Sequence, residues 1–420
     1  MPKRSRVLGA AIAAALALAL LSPATTTAAD SLAMIKQRGK LVVGVKADYP
    51  PFGFLQGDKN VGLEIEPTQV PDQYNAVLRT TTKVNSLENI AFDLLKGSPV
   101  ETTYFDLWNI GNSGMNFNSD YRWETGRRHA DAQFKIPIPM VAGLLFLEAG
   151  DTWRYERWDL SPTIKPQDRK GARFDYKSIG PRIHLKTIPH YRVEFGAGFE
   201  YRNRNPKGNL PQLYTNVHKM GLFTGEAGIR ILDRRYENRV LFHGFASRPS
   251  IAGDLKFSGG TAQLDNRVTF SKDTRMYLDW TVKGGTARGQ LPIEQYFMLG
   301  LDTDSENPLR AHTVSDHGHF GTGPMGTDFV LVNTDIERRL ATIPLFNTVN
   351  IPFLTVKWQA FFDGAKTWDR NHVFQPSKLL LDIGGGVRLE TPTHAVNLIY
   401  GRSLRDGNNV FYAYYERRLW

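Results

Sequence analysis

The sequence predicts an all-β protein, a transmembrane antiparallel β-barrel of sixteen strands. Three observations carry that expectation. The chain opens with an export signal, and no later apolar run approaches the ~18 residues of a membrane helix. From about Tyr104 onward, apolar and polar residues alternate over long segments. The links between those segments are alternately short and long, as in barrels with tight turns on one membrane face and loops on the other.

The export signal is explicit. Lys3, Arg4 and Arg6 precede the apolar run Val7–Leu21, and small residues at Thr27 and Ala29 invite cleavage before Asp30. Residues 1–29 are therefore expected to be a signal peptide. There is no cysteine, which excludes disulfides and thiolate metal sites. An exported chain without staples suits a large fold that closes on itself. The net charge of +10 is moderate, and Arg and Lys are interleaved with Asp and Glu. No basic stripe of the kind that tracks nucleic acid stands out.

The alternation has period two. In "RVEFGAGFEYR", Val193, Phe195, Ala197, Phe199 and Tyr201 point one way, while Arg192, Glu194, Glu200 and Arg202 point the other. In "MYLDWTVKG", Met276, Leu278, Trp280 and Val282 oppose Asp279, Thr281 and Lys283. In "LLLDIGGGVRLE", Leu381, Ile383, Val387 and Leu389 oppose Asp382, Arg388 and Glu390. A soluble half-buried sheet also alternates, but its strands usually run to ~5–6 residues. Segments of this length in an exported chain favour lipid on the apolar side, where only a closed sheet satisfies its backbone.

Candidate strands lie near 104–111, 115–123, 128–138, 143–159, 174–187, 191–204, 219–235, 238–249, 256–271, 275–288, 329–340, 353–368, 379–390, 394–403 and 409–420. Short links at Gly111–Gly114, Thr187–His190, Arg235–Asn238, Lys272–Thr274 and Thr391–His394 fall at alternate junctions; Ala341–Pro352 is a longer exception on the same side. Single-chain bacterial barrels have an even strand number, so one more strand is expected ahead of these. Gln73–Val84 is the candidate and Ile90–Lys96 its rival, giving a barrel over 73–420.

The longest connection, Gly289–Asp328, carries a family resemblance. "LPIEQYFMLGLDTDSENPLRAH", then "TDFVLVNTDIERRL" and "FFDGAKTWD", resemble the carboxy-terminal half of BamA/TamA-type outer-membrane assembly-factor barrels, also called bacterial surface antigens. The resemblance implies sixteen strands. It also implies an outer loop that folds into the lumen, where an arginine meets carboxylates on inward strand faces. Carried over by position, the arginine is Arg310 in "LRAH", and its partners are Glu337 and Asp363. Where the family has glycine and an aromatic, this chain has Ala311 and His312; its "FFDGA" carries the glycine at Gly364. The terminal Trp420 resembles the aromatic end that barrel-insertion machinery reads.

A second, shorter resemblance covers Met34–Glu66, which looks like the first strand and ligand loop of periplasmic amino-acid-binding proteins, with "DYPPFGF" as the ligand-lining stretch. The segment 30–72 is too short to bury a core of its own. The family's periplasmic POTRA domains also have no room in Asp30–Thr103.

No catalytic motif is present. His312, His317 and His319 sit with Ser315, Asp316, Asp302 and Asp304, yet no HExxH, GxSxG or acidic calcium loop appears, and the cluster is read as a solvated Gly/His loop. "DIGGGV" lies in an alternating strand with no helix after it, so its glycines are read as making room in the lumen. The expectation is a non-enzymatic outer-membrane protein without a cofactor, exported through its cleaved signal. Its role would be outer-membrane protein assembly or polypeptide translocation. Its partners would be membrane lipid, unfolded polypeptides and the machinery that inserts the barrel itself. A passive porin-like pore and a periplasmic amino-acid-binding module remain the alternatives.

Overall fold

The structure, a computed structural model, describes residues 59–67, 74–82, a few positions between 90 and 94, and, with short breaks, 101–417. The signal peptide, the stretch "DYPPFGF", most of Ile90–Lys96 and Trp420 lie outside the described residues.

Two strands form a sheet of their own: β1 (Lys59–Pro67) and β2 (Tyr74–Thr82), paired antiparallel with Leu63 opposite Leu78. The strand expected at Gln73–Val84 is thus not part of the barrel sheet, a correction to both the sixteenth-strand candidate and the barrel boundary at residue 73. Its backbone pairs instead with the segment just before it.

The barrel strands are β3 (Thr102–Ile110), β4 (Met115–Arg122), β5 (Arg127–Pro139), β6 (Leu144–Asp159), β7 (Arg173–His190), β8 (Val193–Arg204), β9 (Lys219–Leu232), β10 (Tyr236–Ser247), β11 (Phe257–Ser271) and β12 (Met276–Gly289). Four two-residue strands follow in the long connection: β13 (Phe297–Met298), β14 (Ser315–Asp316), β15 (His319–Phe320) and β16 (Met325–Gly326). The wall resumes with β17 (Asp328–Pro344), β18 (Phe353–Trp368), β19 (Leu380–Glu390), β20 (His394–Ser403) and β21 (Asn409–Arg417). Among the described residues, fifteen long strands therefore build the wall, ten before the long connection and five after it. Consecutive wall strands pair antiparallel, and the sheet closes with β21 beside β3. Across the long connection β12 pairs directly with β17, Met276 opposite Arg338 and Thr286 opposite Asp328. The segment between them leaves the wall and returns without breaking it.

Burial follows the expected period. On β18, Lys357, Gln359, Phe361, Asp363, Ala365 and Thr367 are buried, while Phe362 is 43% exposed. On β7, Phe174, Tyr176 and Ser178 are buried, and Ile179, Ile183 and Leu185 are about half exposed. Exposed Phe134, Ile138, Phe195, Ile229, Phe242 and Ile383 continue the outward apolar surface around the wall. Such a surface is favourable against lipid and costly against water.

The apolar core sits at the end of the barrel where the long connections gather. It joins Leu160 and Ile164 from the β6–β7 link, Leu210 and Leu213 from β8–β9, and Leu255 from β10–β11. Leu291, Ile293, Leu299 and Leu309 come from the long connection, and Val373 and Phe374 from β18–β19. Backbone bonds tie these links together: Lys165 N–H to the Val373 carbonyl (3.2 Å) and Gln375 N–H to the Thr163 carbonyl (2.9 Å). Each fully buried Leu or Ile contributes at most ~1.5–3 kcal/mol, so the packed links hold one another down.

Candidate functional site in the lumen

The long connection folds into the barrel and is held there by buried ionic contacts on different parts of the wall. Its arginine makes the first. Arg310 Nε donates to Asp363 Oδ2 at 2.9 Å and Nη2 to Asp363 Oδ1 at 2.5 Å, a bidentate pair. The backbone N–H of Arg310 also donates to Asp363 Oδ2, at 3.1 Å. Its Nη1 bonds Asp335. The guanidinium carbon lies 3.9 Å from the centroid of the Phe361 ring. Asp363 is completely buried, and Asn333 Nδ2 donates to its Oδ1 at 2.8 Å while also donating to the Pro308 carbonyl at 2.9 Å.

Strand geometry explains this set. "FFD" places Phe361 and Asp363 on the lumen side and Phe362 on the outer face, because successive side chains alternate. β17 and β18 pair with Asn333 opposite Asp363, Asp335 opposite Phe361 and Glu337 opposite Gln359. Asp335 is therefore diagonal to Asp363, whereas Glu337 lies two residues, ~7 Å, further along the strand. Glu337 instead accepts from Lys357 Nζ at 3.3 Å, and Lys357 also pairs with Glu390 at 2.6 Å. Of the residues carried over from the family, the structure brings Arg310 and Asp363 together and sets Glu337 apart; Asp335 holds the position expected of Glu337.

The residues after Arg310 extend the contact to the next strands. The N–H of Ala311 donates to Asp382 Oδ2 at 2.7 Å. His312 Nδ1 lies 3.1 Å from the same Asp382 oxygen, and its Nε2 lies 3.3 Å from Asp406 Oδ2 in the β20–β21 turn. His312 is 8% exposed, which corrects the reading of all three histidines as solvated; His317 alone is wholly at the surface. Burial disfavours the imidazolium, but hydrogen bonds and charge from Asp382 and Asp406 outweigh it and raise the His312 pKa above its ordinary value. Gly401 on β20 faces the Arg310 backbone: an added Cβ would sit 2.4 Å from the Arg310 carbonyl oxygen. Gly384, in "DIGGGV", leaves space for the ring of Phe361, which a Cβ would meet at 2.5 Å.

A second contact reverses the polarity. Glu294, in a 3₁₀ turn of the loop (Ile293–Gln295), accepts from Arg204 Nε at 2.5 Å and Nη2 at 2.9 Å. Tyr176 adds its hydroxyl at 2.9 Å, and Arg204, fully buried, also donates to the Val217 carbonyl at 2.8 Å. Burial would raise the Glu294 pKa, but the Arg204 charge and hydrogen bonds override it and hold the carboxyl below the usual range. A third contact joins loop Asp302 to Arg122 (3.0 Å) and to Arg127 on β4 and β5. Arg127 lies over the Phe320 ring at 4.4 Å, and Phe320 packs edge-on to Trp158 of β6 at 4.6 Å.

Alternation places Asp382 on the polar strand face and Asp302 in the loop, but no local pattern names a partner for either. The Glu294–Arg204–Tyr176 set had no local signal, since its members lie 90 and 118 positions apart. Among the described residues, no group of three or more His, Asp or Glu side chains is placed to hold a metal ion.

No family model matches the chain, and no curated protein matches its sequence. Solved structures do match its fold. CdiB from Escherichia coli aligns with a TM-score of 0.56 at 11% identity, over 84% of this chain and 64% of that one. CdiB from Acinetobacter baumannii aligns at 0.53 and 11%, over 86% and 66%. BamA from Haemophilus ducreyi, in a form lacking POTRA domains 1–3, aligns at 0.52 and 11%, over 93% and 79%. The chain thus has the BamA- and CdiB-type barrel fold, and it spans slightly less than two thirds of the CdiB chains it matches.

Proposed function

We propose that this chain is an outer-membrane barrel of the BamA/TamA kind, acting in outer-membrane protein assembly or polypeptide translocation without a chemical reaction of its own. The observation that carries the reading is the lumen loop. A long segment held by Arg310, Glu294 and Asp302 against separate parts of the wall fills the space a porin keeps open. An apolar cluster of packed links lies above it. Buried ion pairs of this kind are weak evidence for stability but good evidence for a specified arrangement. A barrel that keeps its lumen occupied at rest suits work on polypeptide clients that displace the loop or use the wall itself.

Clients would be unfolded outer-membrane or secreted polypeptides, and the chain's own insertion would depend on barrel-assembly machinery. The rival is a passive pore. Conductance in planar bilayers separates the two: small, unstable openings are expected, and a large steady ohmic pore would overturn the reading. Reconstituted vesicles supplied with an unfolded outer-membrane protein would then measure assembly directly. An amino-acid-binding role would require the stretch Asp48–Phe54, and soluble-fraction binding of a polar amino acid is the outcome that would favour it.

A further inference from the structure

The outward face of β5–β8 departs from the apolar surface at its loop end. Two cross-strand rows lie side by side there. One row runs Arg128, Tyr155, Lys177, with Asn205 bonded to Lys177 through both backbones (2.7 and 3.4 Å). The row below it runs Ala130, Trp153, Ile179, Asn203. All these positions share the outward parity: their neighbours Thr152, Glu156, Tyr176, Ser178 and Arg204 are buried toward the lumen.

Between these strands is a recess of about 440 Å³ lined by Trp153, Lys177, Ile179, Asn203, Asn205 and His218, with Ser178 and Arg204 from the lumen-facing set at its back; Arg128, Tyr155 and Arg157 flank it rather than line it. Tyr155 sits between two cations: Arg157 Nε donates to its hydroxyl at 3.0 Å, and Lys177 Nζ lies 5.4 Å from its ring centroid. Arg128, Arg157 and Lys177 are all exposed. Two acids share this face: Asp175, opposite Arg157 and accepting from the Tyr155 hydroxyl at 3.4 Å, and the exposed Asp151, the next outward residue after Trp153, so the three cations leave a net positive charge of one.

Depth decides what this patch meets. Lys177 is eight residues from the exposed Leu185 on the same strand. At ~3.3 Å per residue and a tilt near 40°, that is about 20 Å along the membrane normal, close to the ~25 Å height of a barrel's apolar band. With Leu185 toward the far side of such a band, Lys177 comes to its outer edge, and Trp153 and Ile179 lie one row nearer its middle. Aromatic rings and long cationic side chains are stable at that boundary.

We propose that this recess is a binding site for one phosphate-bearing anionic lipid of the outer leaflet, with Lys177, Arg157 and Arg128 facing the phosphate and Trp153 and Ile179 against the acyl chain. The inference rests on the outer-membrane reading but not on the assembly role. The charge complementarity is direct: three exposed cations and the Asn205 amide stand above a row led by Trp153 and Ile179, matching a headgroup above its chains. Each cation near an anionic lipid surface is worth ~1 kcal/mol, about a fivefold change in affinity.

The test uses the full chain in a neutral detergent, titrated by native mass spectrometry with phosphatidylglycerol, phosphatidylcholine or inorganic phosphate. Wild type should hold one phosphatidylglycerol in clear preference to phosphatidylcholine. Lys177→Gln and Arg157→Gln should each weaken that binding about fivefold, and Lys366→Gln, an exposed wall cation on β18, should leave it unchanged. Trp153→Ala should weaken lipid binding with the charges intact. All are surface changes, and heat-modifiable migration on gels confirms the fold of each variant. Equal retention of phosphatidylcholine, indifference to these substitutions, or equal occupancy by inorganic phosphate would overturn the proposal. Membrane fractionation is scored separately: a chain absent from the outer membrane defeats the functional reading, whereas a chain present there without lipid preference defeats this inference alone.

Discussion

Arg310 gives Asp363 both its backbone and its side chain: the N–H at 3.1 Å and the guanidinium at 2.9 and 2.5 Å all reach one fully buried carboxylate. The loop is thereby fixed in position and orientation together, because the main chain cannot turn without breaking the side-chain fork.

Arg310→Ala should strand the Asp363 charge in the lumen. Breaking a buried pair from one side costs roughly 3–5 kcal/mol. The expected result is a lower temperature for the heat-modifiable gel shift and an earlier urea midpoint. Arg310→Lys should recover little, since an ammonium cannot replace the bidentate fork over Phe361. An Arg310→Ala chain with wild-type gel migration and midpoint would contradict the pinning role.

Asp335 and Glu337 should separate in a double-mutant cycle. Asp335→Asn and Arg310→Gln should be non-additive, with a coupling of about 0.5–3 kcal/mol for residues in contact. Glu337→Gln should add independently to Arg310→Gln, because Glu337 faces Lys357. Equal coupling of both acids to Arg310 would show that the arginine is shared between them.

The His312 contact should loosen as pH rises. Its pKa is raised in the folded chain, so its contribution is fully present below the ordinary value of about 6.5 and is lost as pH climbs through the higher folded value. Protease cleavage of the loop should therefore be faster near pH ~9 than near pH ~6. His312→Gln should abolish most of that difference, and a retained difference would assign it to another group.

Gly401→Ala should displace the Arg310 backbone, because the new Cβ would meet its carbonyl oxygen at 2.4 Å with no flexible side chain to yield. Overpacking of this kind typically costs 1–3 kcal/mol. Combined with Glu294→Gln, which weakens the Arg204 contact, it should raise bilayer conductance by freeing the loop from two sides. Unchanged conductance in the double variant would mean that the remaining contacts suffice to keep the lumen filled.

Much of the wall was legible in the order of residues. Phe361, Phe362 and Asp363 assign themselves to alternate faces by period two alone, and the fifteen candidate segments after Tyr104 correspond to the fifteen described wall strands within a few residues. The same reasoning failed at Gln73–Val84, where weak alternation was equally compatible with a small sheet beside β1. It also misjudged His312, whose polar, glycine-rich neighbours suggested solvent.

Sequence alone determined which faces of the strands are apolar and where the long outer connection lies, because each depends on spacing within one segment; that its arginine meets carboxylates was what the family resemblance implied. Tertiary structure decided that Asp335 rather than Glu337 joins Asp363, since the β17–β18 register sets which acid lies within a guanidinium's reach. It also decided that Glu294 meets Arg204 and that Asp302 meets Arg122, pairs 90 and 180 positions apart. Those meetings exist because the sheet closes and the loop turns inward, and no local pattern of residues encodes the distance across a lumen.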